Sequence, residues 1–154
     1  MRPLHLLGMT LIAAIPLCAV FGVFGPSSET RSATTELMEL TVEYPTRCRY
    51  EVVEMLDVQV TNRTGRVLEG VTVVFAPSYM DGFSQASFTP TPQRPFEVNL
   101  HPLQPGQTAR VSGEIQGQRY GRYSGQVTAR IGTGGPEAGP AAAVSIDVST
   151  LIFP

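Results

Sequence analysis

The sequence predicts an all-β domain, a two-layer sandwich of about seven antiparallel strands, preceded by one transmembrane α-helix. Three observations predict it. The N-terminal segment is apolar and uncharged, the remainder repeats an apolar–polar alternation of period two, and turn residues separate the alternating runs. No stretch of helical period follows the leader.

Residues 6–25, LLGMTLIAAIPLCAVFGVFG, carry no charge. Twenty helical residues rise about 30 Å, the thickness of a bilayer's hydrocarbon core. A cleaved secretory signal competes with this reading, but its apolar core usually runs only about 7–15 residues. The best local cleavage site, Val23-Phe24-Gly25, is followed by Pro26, and Leu17 stands where a lipoprotein signal needs a small residue before Cys18. The length favours an uncleaved anchor. Pro16 would kink it by removing one backbone donor, and Gly8, Ala13 and Gly22 would let neighbouring helices approach closely. Arg2 and the terminal amine face no acid, whereas Glu29 and Arg31 cancel beyond the span. The positive-inside rule then puts the N-terminus in the cytoplasm and the domain on the periplasmic side of the inner membrane.

The expected division is a tail and anchor over 1–26, a linker over 27–35 and a sandwich over 36–154. The linker, SSETRSATT, is polar and aperiodic. Met38, Leu40, Val42 and Tyr44 then share one strand face, followed by Leu56, Val58 and Val60, and by Val71, Val73 and Phe75. Phe96, Val98 and Leu100 make a fourth run, Ala109 to Ile115 a fifth, and Tyr123 to Ile131 a sixth. Val144, Ile146 and Val148 close the series. Strands with one apolar face each need a second sheet to cover them, and this count and size favour an immunoglobulin-like sandwich over a jelly roll.

The run Val58-Gln59-Val60-Thr61-Asn62-Arg63-Thr64-Gly65, the turn Leu103-Gln104-Pro105-Gly106-Gln107-Thr108 and the strand Gly121-Arg122-Tyr123 resemble bacterial immunoglobulin-like and fibronectin-like domains, including the cell-adhesion-related type. The resemblance spans most of residues 54–131. It implies fold and says little of function, because such sandwiches serve adhesion, spacing and docking alike. The Gly/Pro-rich stretch 132–142 departs from the pattern and leaves the pairing of the last strand open.

Composition narrows the function. The net charge is −2, so no broad basic face exists to gather nucleic acid. All eleven basic residues are Arg, which genome composition explains more simply than function. Cys18 in the leader and Cys48 in the body would sit in different phases, so no disulfide is expected within the domain. There are two histidines, His5 beside the leader and His101 at a strand end, and no nucleophile elbow or phosphate loop. No catalysis, cofactor, metal or small-molecule substrate is expected. Cys48 has no Cys-x-Cys partner, and the Met and His positions lack ligand spacing. Arg47 and Arg49 flank Cys48 and would lower its thiol pKa if it were exposed. They are also candidates for an acidic partner.

The stretch 76–95, APSYMDGFSQASFTPTPQRP, holds four prolines and only two charged residues. Loops this long are often functional. Tyr79, Met80, Phe83 and Phe88 carry large apolar surfaces there with little alternation, which offers two readings: a partner contact, or an extra edge strand packed inward. The expected role is a non-catalytic accessory subunit, with its helix packed among other membrane-protein subunits and its sandwich bracing an extracytoplasmic partner. A freestanding adhesion or ligand-binding module is the alternative, and a metal-delivery factor for oxidase assembly a third.

Overall fold

A computed structural model describes Gly25, residues 27–132 and residues 143–154. Residues 6–25, read above as the anchor with Gly8, Ala13, Pro16 and Gly22, lie outside the described residues apart from Gly25, as does most of the stretch 132–142. Nine strands are described: β1 (Ser27–Thr34), β2 (Met38–Arg49), β3 (Val53–Asn62), β4 (Val71–Phe75), β5 (Phe83–Thr89), β6 (Glu97–Asn99), β7 (Thr108–Gly117), β8 (Gly121–Ile131) and β9 (Ala143–Phe153). The single described helix, α1, is one turn, Pro77–Met80.

The strands follow one path, β5-β7-β3-β2-β9-β8-β4-β6, with β1 added on β2. That path doubles back on itself. The Phe75 ring of β4 stacks on the Phe88 ring of β5, 4.6 Å between centroids, although these strands stand near opposite ends of the path. The result is an immunoglobulin-like two-layer sandwich, β2-β3-β7-β5 against β2-β9-β8-β4-β6. One interior is shared by Leu40, Leu56, Val60, Val111 and Ile115 from the first layer and by Val73, Phe75, Val127 and Ile146 from the second.

Strand β2 belongs to both layers. Met38 to Glu43 pair antiparallel with β3, whereas Arg47 to Arg49 pair parallel with Leu151 to Phe153 of β9. Among the described strands the expected all-antiparallel arrangement is thus broken between β2 and β9, and an isolated parallel bridge, Tyr50↔Gly117, follows directly. Pro45 lies between the two ladders, where a residue without an N–H loses least. Its carbonyl accepts from the buried Thr150 hydroxyl, and since that proton is committed, Thr150 Oγ1 in turn accepts from the Tyr79 phenol at 2.9 Å. Burial pushes the Tyr79 phenol above its ordinary range.

Two elements differ from the sequence expectation. The linker 27–35 is instead almost entirely strand: β1 pairs with β2 from Ser27↔Arg47 to Thr34↔Glu39. It is polar because it is an edge with little to bury, so no hydrophobic alternation announces it. Side chains hold it in place. Glu29 accepts from the buried Tyr44 phenol at 3.0 Å and from Arg31 Nε at 2.8 Å, and Arg31 Nη1 reaches the Asp147 carbonyl of β9 at 3.1 Å. The second is β5, inside the stretch read as a long loop. It pairs with β7 through Ala86↔Ile115 to Thr89↔Ser112, with a register shift between Phe83 and Ala86. The last strand, whose pairing was open, lies along β8 from Gly121↔Ile152 to Arg130↔Ala143.

Candidate functional site

The predicted contact residues of 76–95 do not form a surface. Tyr79 and Met80 on α1 and Phe88 on β5 are buried in the core, and Phe83 packs against it half-buried. The inward-packed alternative is the one the coordinates give, and the partner surface read onto these four residues is withdrawn. Phe83 and Phe88 are five residues apart, an odd spacing that strict alternation would send to opposite faces. The register shift between Phe83 and Ala86 lets both meet the core. Tyr79 is tilted against Phe83 at 5.3 Å. The space for α1 comes from Gly125 of β8, where an added Cβ would lie 2.9 Å from the Cβ atoms of Ala76 and Tyr79.

Arg47 and Arg49 are exposed at the end of β2, while Cys48 between them points inward and is fully buried. The lowering expected of an exposed thiol does not apply, because this one is buried. Burial, with the Glu54 carboxylate nearby, pushes it up to about 11. Side chains on either side of a strand residue point to the opposite face, so the flanking guanidinium groups do not act on the sulfur. Cys48 is a free cysteine. Among the described residues no group of three or more His, Cys, Asp or Glu side chains could hold a metal ion. His101 is exposed beyond β6, and Met38, Met55 and Met80 are dispersed.

A different surface emerges at the end of the sandwich where β1 begins. Strand pairing fixes which segments meet there: Ser27 opposite Arg47, the β2–β3 turn at 50–52, the β7–β8 turn at 118–120 and the last residues of β9. Backbone bonds hold the turns firmly. Tyr50 N donates to Phe153 O and Glu51 N to Gly117 O, both at 2.9 Å, and Gln118 N donates to Gly82 O at 2.9 Å. Glu51 takes a left-handed φ of 59°, and the Gln116 amide caps its carbonyl at 2.8 Å. A side chain at Gly117 would meet Ile152 at 2.9 Å, so the strands close tightly beneath the turns.

Above that frame the side chains are apolar and open. Among the described residues five large hydrophobic side chains are exposed, and four of them are here: Val52, Val53 (53%), Met55 (51%) and Tyr120 (58%). Tyr120 lies against Tyr50 with centroids 4.9 Å apart. Arg49 sits over the Phe153 ring at 6.0 Å, and Arg119 and Arg122 are exposed on the neighbouring turn and strand. The acids at this end are Glu51, Glu54, Asp81, Glu43 in a groove with Val53 and Met55, and Glu114 opposite Met55, and burial raises the Glu54 carboxyl. Val53 and Met55 fall on the outward face of β3, opposite in direction to Leu56 and Val58. Sequence reading passed over them because two aliphatic residues at a strand start look like core.

The far end is built differently. Asn62 at the end of β3 is buried, and its amide nitrogen donates to Arg66 O at 2.7 Å and Leu103 O at 2.9 Å. Its oxygen accepts from the Thr64 backbone and hydroxyl, each at 2.8 Å. Both amide protons are committed, so the Asn62-Arg63-Thr64 triplet serves as a turn. Nearby, a polar cleft of about 250 Å³ is lined by Thr72, Gln93, Arg94, Glu97, Asn99 and Arg130. Glu97 accepts from Arg130 Nη2 at 3.1 Å, while Arg130 Nε is buried without a partner.

No family model and no curated protein matches the chain. Among solved structures, a CARDB domain from Pyrococcus furiosus, described as in complex with di-metal ions, is 17% identical; 79% of this chain and 100% of that one are covered, with a TM-score of 0.45. AvmM, described as catalysing macrocyclization in alchivemycin A biosynthesis, is 10% identical over 82% of this chain and 96% of that one, with a TM-score of 0.46. Neither metal binding nor catalysis transfers to this chain at such similarity. Among the described residues no helix is long and apolar enough to cross a membrane.

Proposed function

We propose that this chain is a membrane-anchored accessory subunit without catalytic activity. Residues 6–25 hold it in the cytoplasmic membrane, and its immunoglobulin-like domain on the extracytoplasmic side binds and stabilises partner proteins of a larger complex, of respiratory or photosynthetic type. One observation carries the reading: an uncharged run long enough to span a bilayer stops a single residue, Pro26, before the first strand. A domain tethered so closely stays beside the membrane proteins it would brace. Gentle detergent extraction of the native membrane followed by size analysis tests it. The expected result is a particle much heavier than 16.6 kDa plus its detergent, with co-purifying membrane chains. A lone particle of monomer mass, or a mature product beginning beyond Gly25, overturns it.

A second reading, a freestanding ligand-binding module, draws on the Arg130 cleft, whose unpartnered Nε is a donor suited to a small carboxylate or phosphate. Titration of the intact protein with succinate or inorganic phosphate, against the Arg130→Gln variant, decides it. Saturable binding lost in the variant favours this reading, and no heat in either protein removes it.

A further inference from the structure

We infer that the end of the sandwich formed by the 50–52 and 118–120 turns rests on the bilayer surface. There Val52, Val53, Met55 and Tyr120 meet the headgroup–acyl boundary, and the arginines meet lipid phosphates. The inference rests on the anchor reading of residues 6–25 and adds an orientation to it. Chain reach supplies the first argument. From residue 25 to residue 27 the backbone spans at most about 7 Å, and the headgroup layer beyond the hydrocarbon core is about 5–7 Å thick. Ser27 pairs with Arg47, so the part of the domain that this tether holds against the lipid is the end carrying the two turns.

That end also displays side chains suited to a lipid interface. Single exposed aliphatic residues are ordinary, but a grouping needs an occupant. Four of the five exposed large apolar side chains among the described residues stand at this end, and the fifth, Val67, is at the other. Tyrosine and arginine join them, side chains with an apolar body and a polar tip that favour a membrane interface. Arg47, Arg49, Arg119 and Arg122 stand here in mixture with Glu43, Glu51, Glu54, Asp81 and Glu114. The phosphate that all phospholipid headgroups share is the group these arginines would meet, and no anionic lipid is required. A protein partner would be free to choose any face. Lipid reaches this one through the tether.

The test uses the full chain with Cys18→Ser, carrying Val53→Cys, Tyr120→Cys or, at the opposite end, Val67→Cys, each bearing a nitroxide. Cys48 is buried, and the parent without an added thiol controls for its labelling. The proteins are reconstituted into vesicles of phosphatidylcholine alone or mixed equally with phosphatidylglycerol. Collision with a water-soluble nickel chelate and with oxygen is then measured. Nickel access at positions 53 and 120 is expected to fall several-fold below that at 67 in both kinds of vesicle. Chain that floats with the vesicles yet shows equal nickel access at all three positions overturns the docking and leaves the anchor intact. Chain that does not float overturns both. Dipolar broadening at 53 or 120 that vanishes on dilution with unlabelled protein assigns the face to a second copy and overturns the lipid contact.

Discussion

Segments 50–55 and 76–95 exchange the roles their sequences suggest. The first, with Val52, Val53 and Met55 opening a strand, looks like core and is exposed. The second, broken by four prolines and without alternation, looks like surface, yet it buries Tyr79, Met80 and Phe88. What separates them is cover. Residues 76–95 close the open side of the sandwich, and Phe88 finds Phe75 of the other layer waiting. Val53 and Met55 project from the outer side of β3, where the described residues form no third layer. Apolarity says that a side chain wants cover. Topology decides whether the chain itself provides it.

The contrast can be broken most directly at Phe88. Phe88→Ala is expected to destabilise the domain by about 3–5 kcal/mol, since it removes a ring stacked inside the sandwich. Urea unfolding followed by circular dichroism measures it, and a loss below 1 kcal/mol would mean β5 is loosely held. Next comes Tyr79→Phe, which leaves the ring but takes the hydrogen bond from Thr150, for about 1–1.5 kcal/mol by the same method. Two residues beyond Met55, on the same face of β3, Asp57 sharpens the comparison. It accepts from Arg110 Nε and Nη2 at 3.0 and 2.8 Å and from the Ser112 hydroxyl. The Arg110 bond, partly opposed by burial and helped by Ser112, holds this carboxyl below its ordinary range.

A lowered native pKa stabilises the fold above the unfolded value and loses that effect as acid protonates the native carboxylate. Asp57→Asn is expected to cost about 1 kcal/mol at neutral pH, a figure discounted because Arg110 is largely exposed. The gap between wild-type and variant urea midpoints should close as pH falls below about 4 and the native carboxylate titrates. Asp57 is thus the residue at which the outer face of β3 passes from bare aliphatic to covered polar. Smallest of all should be Val53→Ser and Met55→Ser, each within about 0.5 kcal/mol of wild type by the same unfolding measurement. A larger loss would show that these side chains are covered within the chain. A chemical check accompanies them: with Cys18→Ser in place, Cys48 should resist a maleimide at pH 8 in native buffer and react promptly in urea, as a buried thiol raised to about 11 requires.

How far the sequence disclosed this can be read from particular strands. β2, β3, β4, β7, β8 and β9 carry apolar residues at alternate positions because each covers one interior with one face, and they were legible. β1 was not, because an edge strand with both faces largely in water leaves no periodic trace; it is held by the Glu29–Arg31–Tyr44 contacts instead. β5 was hidden by its own irregularity, a register shift that puts aromatic residues five apart on the same side. The division of β2 between layers at Pro45 left only the proline as a sign. At the end where β1 begins, the arginines beside Cys48 are legible in sequence, but the turns that gather them with Val53, Met55 and Tyr120 are a product of pairing across 65 or more positions, which local pattern does not encode.

The hairpin of β1 and β2 bears on how the molecule would respond to force. If the chain is held through residues 6–25 while a partner tugs the opposite end away from the membrane, tension enters at Ser27 and runs lengthwise along β1. Strands dragged past each other in that direction must release their cross-links together, whereas strands peeled from one end release them in sequence. The eight residues of β1 would then act as a shear joint between anchor and sandwich, and the Arg31 bond to the Asp147 carbonyl would spread part of the strain into β9.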